Sequence, residues 1–237
     1  MDLEIVVNCY NYQHRLCWFL SSLLQQEGNP PNILVNVSYM ENNGSPITEE
    51  VCSFFREKGL TIKETPLPKK KIFNRSLARK HQSLESKSDW MLFADCDMVY
   101  SPFFFDDIAK QVQSDQFKDE TKVIGADRVS LKIDFCAKFF DNDRRKYPCV
   151  ISHVAKRVSK WPIYYIKGKK IAAGYFQLAN TQKIKQMAEN YPTKRRDRLR
   201  VYMADREFRV VMGGRVPMNV KPQYHLNHTR SDFDKQR

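Results

Sequence analysis

Short apolar runs alternate with amphipathic stretches over the first hundred residues, and this alternation constrains the fold more than any other feature of the sequence. Four runs are predicted to be strands: 3–8, 33–40, 60–63 and 90–94. Three stretches between them are predicted to be helices: 14–26, 48–58 and 72–86, with Thr48 capping the second. Such an alternation is typical of a mostly parallel sheet with helices on both faces, so the sequence predicts an α/β fold.

The later residues show less regular patterns. Two strands, 123–126 and 171–178, and two helices, 181–190 and 201–211, are predicted there. Residues 129–170 lack clean periodicity, and the segment after Val216 is predicted to be a loop. Because no break separates two domains, we expect residues 1–237 to form a single domain.

The composition excludes a disordered chain, since 42% of the residues are hydrophobic and 12% are aromatic. Forty Lys and Arg against 27 Asp and Glu give a formal net charge of +13, which favours anionic partners. No two of the six cysteines form a CxxC pair, no apolar run is long enough to cross a bilayer, and the amino terminus does not resemble a signal peptide. We therefore expect free thiols and a cytoplasmic protein, whose basic surface also suits peripheral contact with an acidic membrane.

Ligands of such sheets bind at the carboxyl ends of the strands, where residues 8–11, 41–45 and 95–97 are expected. The sequence contains three Asp-x-Asp triplets, and only Asp95 and Asp97 follow a buried predicted strand. Two carboxylates held there can bind Mg2+ or Mn2+, which offsets the charge of a diphosphate leaving group. The alternative is an acidic turn that binds no ligand.

His225 and His228 are spaced so that both imidazoles can face one ion. Together with Asp97 they would supply two nitrogens and one oxygen, a set that suits Mn2+ better than Ca2+. Ordinary surface or packing histidines are the alternative.

Two further residues are candidates for the site. Asp205 is a candidate general base, with Glu207 as the fallback, because deprotonating a hydroxyl requires a partly desolvated carboxylate. A solvated Asp paired with a neighbouring Arg is the alternative. Gly174 would let a ligand approach the backbone, although packing is the commoner reason for a single glycine.

Taken in order, these segments resemble the GT-A glycosyltransferases, especially family 2. The matching segments span nearly the whole chain: 6–11, 21–26, 42–45, 74–79, 90–97, 174–178 and 205–208. Residues 72–75 and 225–232 also resemble the β-1,4-galactosyltransferase and chondroitin-polymerase branch. In that branch the last metal ligand is a histidine shortly before an Arg-Asp pair, where His228 stands, and His225 occupies the place of a further ligand.

The resemblance implies a GT-A (Rossmann-like) fold with a nucleotide-binding half, 1–100, and an acceptor-binding and catalytic half, 101–237. It implies a Mn2+-dependent (or Mg2+-dependent) enzyme that transfers a sugar from a UDP-sugar to a saccharide or lipid-linked acceptor with inversion. The metal ligands would be Asp97, His225 and His228, and the catalytic carboxylate Asp205.

The implied donor site comprises Tyr10, Asn11, Glu41, Asn42, Arg79, Asp95 and Gly174. Tyr10 and Glu41 would frame the base, Arg79 would meet the diphosphate, and Asp95 would hold the ribose or sugar hydroxyls. The usual Asp of the nucleotide-recognition turn is absent, which leaves Glu41 or Asn42 to meet the uracil.

Two other functions fit parts of the sequence. A sugar-nucleotide pyrophosphorylase has a similar layout but needs a glycine-rich basic loop after the first strand, and residues 8–12 contain no glycine. A basic nucleic-acid-binding domain fits the charge but gives Asp95, Asp97 and Asp205 no role, so no nucleic-acid partner is expected.

Overall fold

The computed structural model describes residues 1–40, 46–68, 72, 75–117, 120–164, 175–187 and 204–228, with the backbone alone at 46, 75–77 and 204–207. The strands are β1 (Asp2–Cys9), β2 (Asn32–Met40), β3 (Thr61–Leu67), β4 (Trp90–Asp95), β5 (Met98–Tyr100), β6 (Val123–Ala126), β7 (Val129–Leu131), β8 (Ile163–Tyr164), β9 (Phe176–Asn180), β10 (Arg215–Met218) and β11 (Gln223–His225). The helices are α1 (Gln13–Leu24), α2 (Pro46–Glu57), α3 (Arg75–Glu85), α4 (Phe104–Val112), α5 (Ile133–Asp141), α6 (Val154–Val158), α7 (Thr181–Met187) and α8 (Ala204–Val211).

Seven strands form the large sheet, in the order β10-β6-β9-β4-β1-β2-β3. β1 is parallel to both of its neighbours, β2 and β4, while β3 is parallel to β2 and β10 to β6. β9 is antiparallel to β4 and β6. The prediction of an α/β fold with a mostly parallel sheet is therefore confirmed.

Apolar side chains cover both faces of the central strands, because helices pack on both sides of the sheet. On one face Ile5 packs in the same cluster as Phe19 of α1. On the other face Phe93 of β4 contacts Phe208 of α8, with ring centroids 5.1 Å apart. Full burial of such a side chain contributes about 1.5–3 kcal/mol to folding, so these contacts fix α1 and α8 on the two faces of the sheet.

A second, four-stranded sheet has the order β5-β11-β7-β8. β5 begins three residues after β4 ends, so the chain passes from one sheet to the other through the turn at Cys96 and Asp97. β11 lies between β5 and β7, antiparallel to the former and parallel to the latter. A separate apolar cluster that includes Trp18, Val154 and Leu226 packs under this sheet.

The structure corrects several predictions. The segment after Val216 is not a loop, because it contains β10 and β11. Residues 129–164 form β7, α5, α6 and β8, which are too short, at two to nine residues, to give clear periodicity. Thr48 is fully buried inside α2, which begins at Pro46, so it does not cap that helix.

The predicted strand over 171–178 corresponds to β9, and its first part lies outside the described residues. The predicted helices over 181–190 and 201–211 correspond to α7 and α8. Residues 188–190 and 201–203 also lie outside the described part.

The six cysteines are free thiols, as the sequence predicts. Burial raises the pKa of Cys17 and of Cys52 to about 12, so these two thiols stay protonated at neutral pH. In the part of the chain that the structure describes, no helix is long and apolar enough to cross a membrane.

Candidate functional site

The turn between β4 and β5 carries the Asp-x-Asp triplet to the junction of the two sheets. Asp95 ends β4 and lies opposite Asn8 of β1. Asp97 follows in the turn and is 5% exposed. Because β11 pairs with β5, His225 lies opposite Met98, and the next peptide N–H, that of Leu226, donates to the Asp97 carbonyl at 2.8 Å. The backbone pairing therefore brings the carboxyl-terminal histidines to the triplet.

Asp97, His225 and His228 form a compact group of three side chains that could hold a metal ion, and this group is called the metal-ligating group below. The Asp97 Oδ2 atom lies 3.3 Å from Nε2 of His225 and 3.4 Å from Nε2 of His228. Their ligand atoms all lie within 4.8 Å of one another. His225 is buried and His228 is half-buried, so the group is reached from the side of His228.

The electrostatics of this group favour an ionised carboxylate. Burial by itself raises the pKa of Asp97, but His225, His228 and Arg15 together lower that pKa to well below its ordinary value. Among the described residues, the Asp97 Oδ1 atom has no hydrogen-bond partner although it is buried. A buried, ionised oxygen without a partner is costly unless a cation binds it, so the residues present fit a divalent ion.

The donor set also limits the kind of ion. Two imidazole nitrogens and one carboxylate oxygen suit Mn2+ better than Ca2+, which takes six to eight oxygen ligands. If these three side chains hold an ion, its remaining coordination positions would be open to oxygens of a substrate.

The turn after β1 borders the metal-ligating group. Asn11 adopts a left-handed conformation with φ of 56° and is exposed, a backbone state that Asn tolerates better than most residues. The ring of Tyr12 lies 5.4 Å from that of His228, between centroids. Tyr10 is half-buried and packs against the cluster that contains Met40.

Arg79 occupies the interior between α3 and the large sheet. It is 4% exposed, its Nη1 donates to Gln177 Oε1 at 2.7 Å, and its guanidinium lies 4.9 Å from the ring centroid of Phe93. Arg79 thus packs against β4 itself, whereas the metal-ligating group lies at the turn that follows β4.

Not all the candidate residues are described by the structure. Glu41, Asn42 and Gly174 lie outside the described residues. Asp205 lies in α8, of which only the backbone is described at that position. Phe208, one turn later, packs on Phe93 and fixes the helix against β4.

Sequence reasoning missed Tyr12 and Arg15. Arg15 lies in the first turn of α1, is 3% exposed, and its Nη1 donates to the carbonyl of Asn227 at 3.1 Å. A charged residue in an amphipathic helix is typical of a solvated surface, so the sequence carries no signal of this burial.

Of the comparisons with known proteins, only the comparison with solved structures found matches. No protein-family model and no curated protein matches the sequence. The structure of Staphylococcus aureus TarS 1-349 is similar at a TM-score of 0.60 with 14% identity, over 100% of this chain and 63% of that one. TarS 1-349 in complex with UDP is similar at a TM-score of 0.62 with 14% identity, over 100% of this chain and 63% of that one. TarS 1-349 in complex with UDP-GlcNAc is similar at a TM-score of 0.58 with 14% identity, over 100% of this chain and 64% of that one.

The chain therefore spans somewhat less than two thirds of the TarS structures it matches. At this identity the similarity establishes the fold: the chain has the GT-A fold, with a large central sheet flanked by helices. That prediction from the sequence is confirmed.

Proposed function

We propose that the protein is a glycosyltransferase that moves a sugar from a UDP-sugar to an acceptor hydroxyl with the help of a divalent cation. The observation that carries this proposal is the convergence of Asp97, His225 and His228 at the carboxyl edge of a GT-A sheet. The similarity to TarS structures that contain UDP and UDP-GlcNAc supports a nucleotide-sugar donor. The nucleic-acid alternative gives this convergence no role, and the pyrophosphorylase alternative requires a glycine-rich basic loop after β1, where residues 8–12 contain no glycine.

Asp97, His225 and His228 would hold Mn2+, or less favourably Mg2+. The ion, when bound, offsets the negative charge that develops on the departing diphosphate. The protein contributes the buried carboxylate and the fixed backbone of β5 and β11, which keep the ligand atoms together before the donor arrives.

The donor would lie along the carboxyl ends of β1, β2 and β4. We assign Tyr10, Asn11, Glu41 and Asn42 to the nucleotide, and Gly174 to a close approach of the backbone. Asp95, which ends β4 beside Asn8, would accept hydrogen bonds from ribose or sugar hydroxyls.

Arg79 is assigned to the diphosphate. Because Arg79 already donates to Gln177, this assignment requires the diphosphate to pass beside Gln177.

Asp205 is assigned the role of general base. It would take the proton of the acceptor hydroxyl as that oxygen attacks the anomeric carbon from the face opposite the diphosphate, which inverts the configuration. The packing of Phe208 on Phe93 supports this role, because it fixes α8 to the strand that ends in Asp95.

We further assign the chain to the β-1,4-galactosyltransferase and chondroitin-polymerase branch, on the spacing of His225 and His228. The acceptor would be a saccharide or a lipid-linked saccharide. A cytoplasmic location with peripheral contact to an acidic membrane is consistent with the net charge of +13.

Calorimetric titration of UDP with and without Mn2+ tests the metal site. We expect UDP to bind the wild type in a Mn2+-dependent manner, and Asp97→Asn, which is close in size, to abolish that dependence. Asp141→Asn is the matched control, because Asp141 is exposed and begins another Asp-x-Asp triplet. Normal Mn2+-dependent binding in Asp97→Asn would refute the metal assignment.

Turnover of a panel of UDP-, GDP- and dTDP-sugars tests the reaction. Asp205→Asn should lower turnover about 100- to 10,000-fold and leave the affinity for the donor unchanged. Unchanged turnover would remove Asp205 from the mechanism, and equal use of all three nucleotides would contradict a UDP-sugar donor.

A further inference from the structure

The loop between the two candidate histidine ligands is held by a buried arginine. Arg15 Nη1 donates to the carbonyl of Leu226 and, at 3.1 Å, to the carbonyl of Asn227. Leu226 and Asn227 are the two residues between His225 and His228. A single guanidinium group therefore binds both carbonyls of the connecting segment.

Other contacts hold the same segment from different sides. The Leu226 N–H donates to the carbonyl of Asp97 at 2.8 Å. The Asn227 Nδ2 atom donates to the carbonyl of Leu131 at 2.7 Å. The segment is thus tied to the turn after β4, to β7 and, through Arg15, to α1.

The position of the guanidinium is itself fixed by aromatic rings. Its central carbon lies 5.2 Å from the ring centroid of Tyr12 and 4.8 Å from that of Phe140. Tyr12 in turn lies against His228, with 5.4 Å between the ring centroids. Arg15 therefore has little freedom to follow the loop if the loop moves.

An apolar residue cannot replace Arg15 in this arrangement. Burial of a guanidinium costs several kcal/mol unless it is well hydrogen-bonded, and buried carbonyls that lose their donor cost about 1–3 kcal/mol each. Residues 226–228 have no regular secondary structure, so no ladder of backbone hydrogen bonds would otherwise fix their torsions.

We propose that Arg15 is a positioning residue that holds the backbone between His225 and His228 so that both Nε2 atoms face Asp97. The proposal rests on the metal site of the proposed function. It adds that α1, which contributes no metal ligand, helps to determine the affinity of the site for the ion.

The charge of Arg15 makes the proposal sharply testable. A cation close to Asp97 repels a metal ion, so electrostatics alone predicts that a neutral residue at position 15 tightens metal binding. Positioning predicts the opposite, because loss of a group that orients metal ligands typically weakens metal affinity by about 10- to 100-fold. The two effects differ in sign.

The experiment is calorimetric titration of the full chain with Mn2+ alone, checked by the EPR signal of free Mn2+. We expect Arg15→Met to weaken Mn2+ binding by about tenfold or more, and Arg15→Lys, which keeps a charged donor, to fall between Arg15→Met and the wild type. Arg145→Lys is the matched control, since Arg145 also lies over aromatic rings, those of Trp18 and Phe139, and should leave the affinity unchanged.

Each outcome has one interpretation. Equal or tighter Mn2+ binding by folded Arg15→Met overturns the positioning role. If circular dichroism shows that this variant does not fold, Arg15→Gln replaces it, since Gln is neutral but keeps an amide donor. Equal or tighter Mn2+ binding by folded Arg15→Gln then overturns the positioning role. If the wild type itself binds no Mn2+, the proposed metal site fails, and that result is distinct from a failure at Arg15.

Discussion

Gly28 offers the most direct test of the packing in the structure. It has a φ of +82°, and a Cβ atom added there would lie 2.7 Å from Cγ and 3.0 Å from Oδ1 of Asp106. Asp106 cannot easily withdraw, because it is 5% exposed and its carboxylate accepts from the Asn29 N–H at 3.0 Å and from Lys110. Gly28→Ala should therefore combine backbone strain with a steric clash.

The expected cost follows from these two effects. A left-handed conformation costs a residue with a Cβ about 1–2 kcal/mol, and overpacking costs about 1–3 kcal/mol. We expect Gly28→Ala to lower the free energy of unfolding by about 2–5 kcal/mol in urea titrations followed by circular dichroism. In a domain of this size the melting temperature should fall by about 4–20 °C.

Gly213 provides the control. Its φ of +74° is nearly the same, but no atom of the described residues lies within 4 Å of an added Cβ. Gly213→Ala should show the strain alone, about 1–2 kcal/mol. The double variant Gly28→Ala/Asp106→Ala should cost less than the sum of its single changes, because the clash is removed. If Gly28→Ala costs no more than Gly213→Ala, the packing argument is wrong.

Two further predictions concern His14 and Phe208. Burial, aided by the charge of Arg15 and opposed by Asp143, lowers the pKa of His14 from 6.5 to about 4, so the unfolded chain takes up the proton first as the pH falls. Stability should be nearly complete above pH 6.5 and should decline by about 3 kcal/mol between pH 6.5 and pH 4. Urea titrations of His14→Gln should show a smaller decline over the same range, and equal declines would contradict this prediction. Phe208→Ala removes a fully buried ring that packs on Phe93, so it should lower the free energy of unfolding in urea titrations by about 3–5 kcal/mol. Val210 is 70% exposed, so the control Val210→Ala should change that free energy by less than about 0.5 kcal/mol.

The large sheet could be predicted because its central strands are long and buried on both faces. Residues 3–8 and 90–94 read as apolar runs, and β1 and β4 extend only one residue beyond them at one or both ends. Helices on both faces impose this pattern on the sequence, so local periodicity is sufficient evidence.

The small sheet could not be predicted in the same way. β8 has two residues and β11 has three, and each is held by partners far away in the sequence, such as the pairing of His225 with Met98. Strands this short carry no recognisable alternation, so the predicted loop after Val216 was wrong.

The site shows the same division. The sequence placed Asp97, His225 and His228 in one hypothesis through the chemistry of their ligand atoms and then through a family resemblance, and their roles stay predictions. No local pattern pointed to the burial of Arg15, because its partners are main-chain carbonyls of Leu226 and Asn227, which any sequence would supply.

The strand order of the small sheet has a consequence for synthesis of the chain. β11 is made last of the four strands, yet it is inserted between β5 and β7. A nascent chain that stops before Gln223 has the β7–β8 pair and a solitary β5, with nothing between them. The proposed metal site would therefore stay incomplete until translation has passed His228, and we expect a prematurely terminated product not to bind Mn2+.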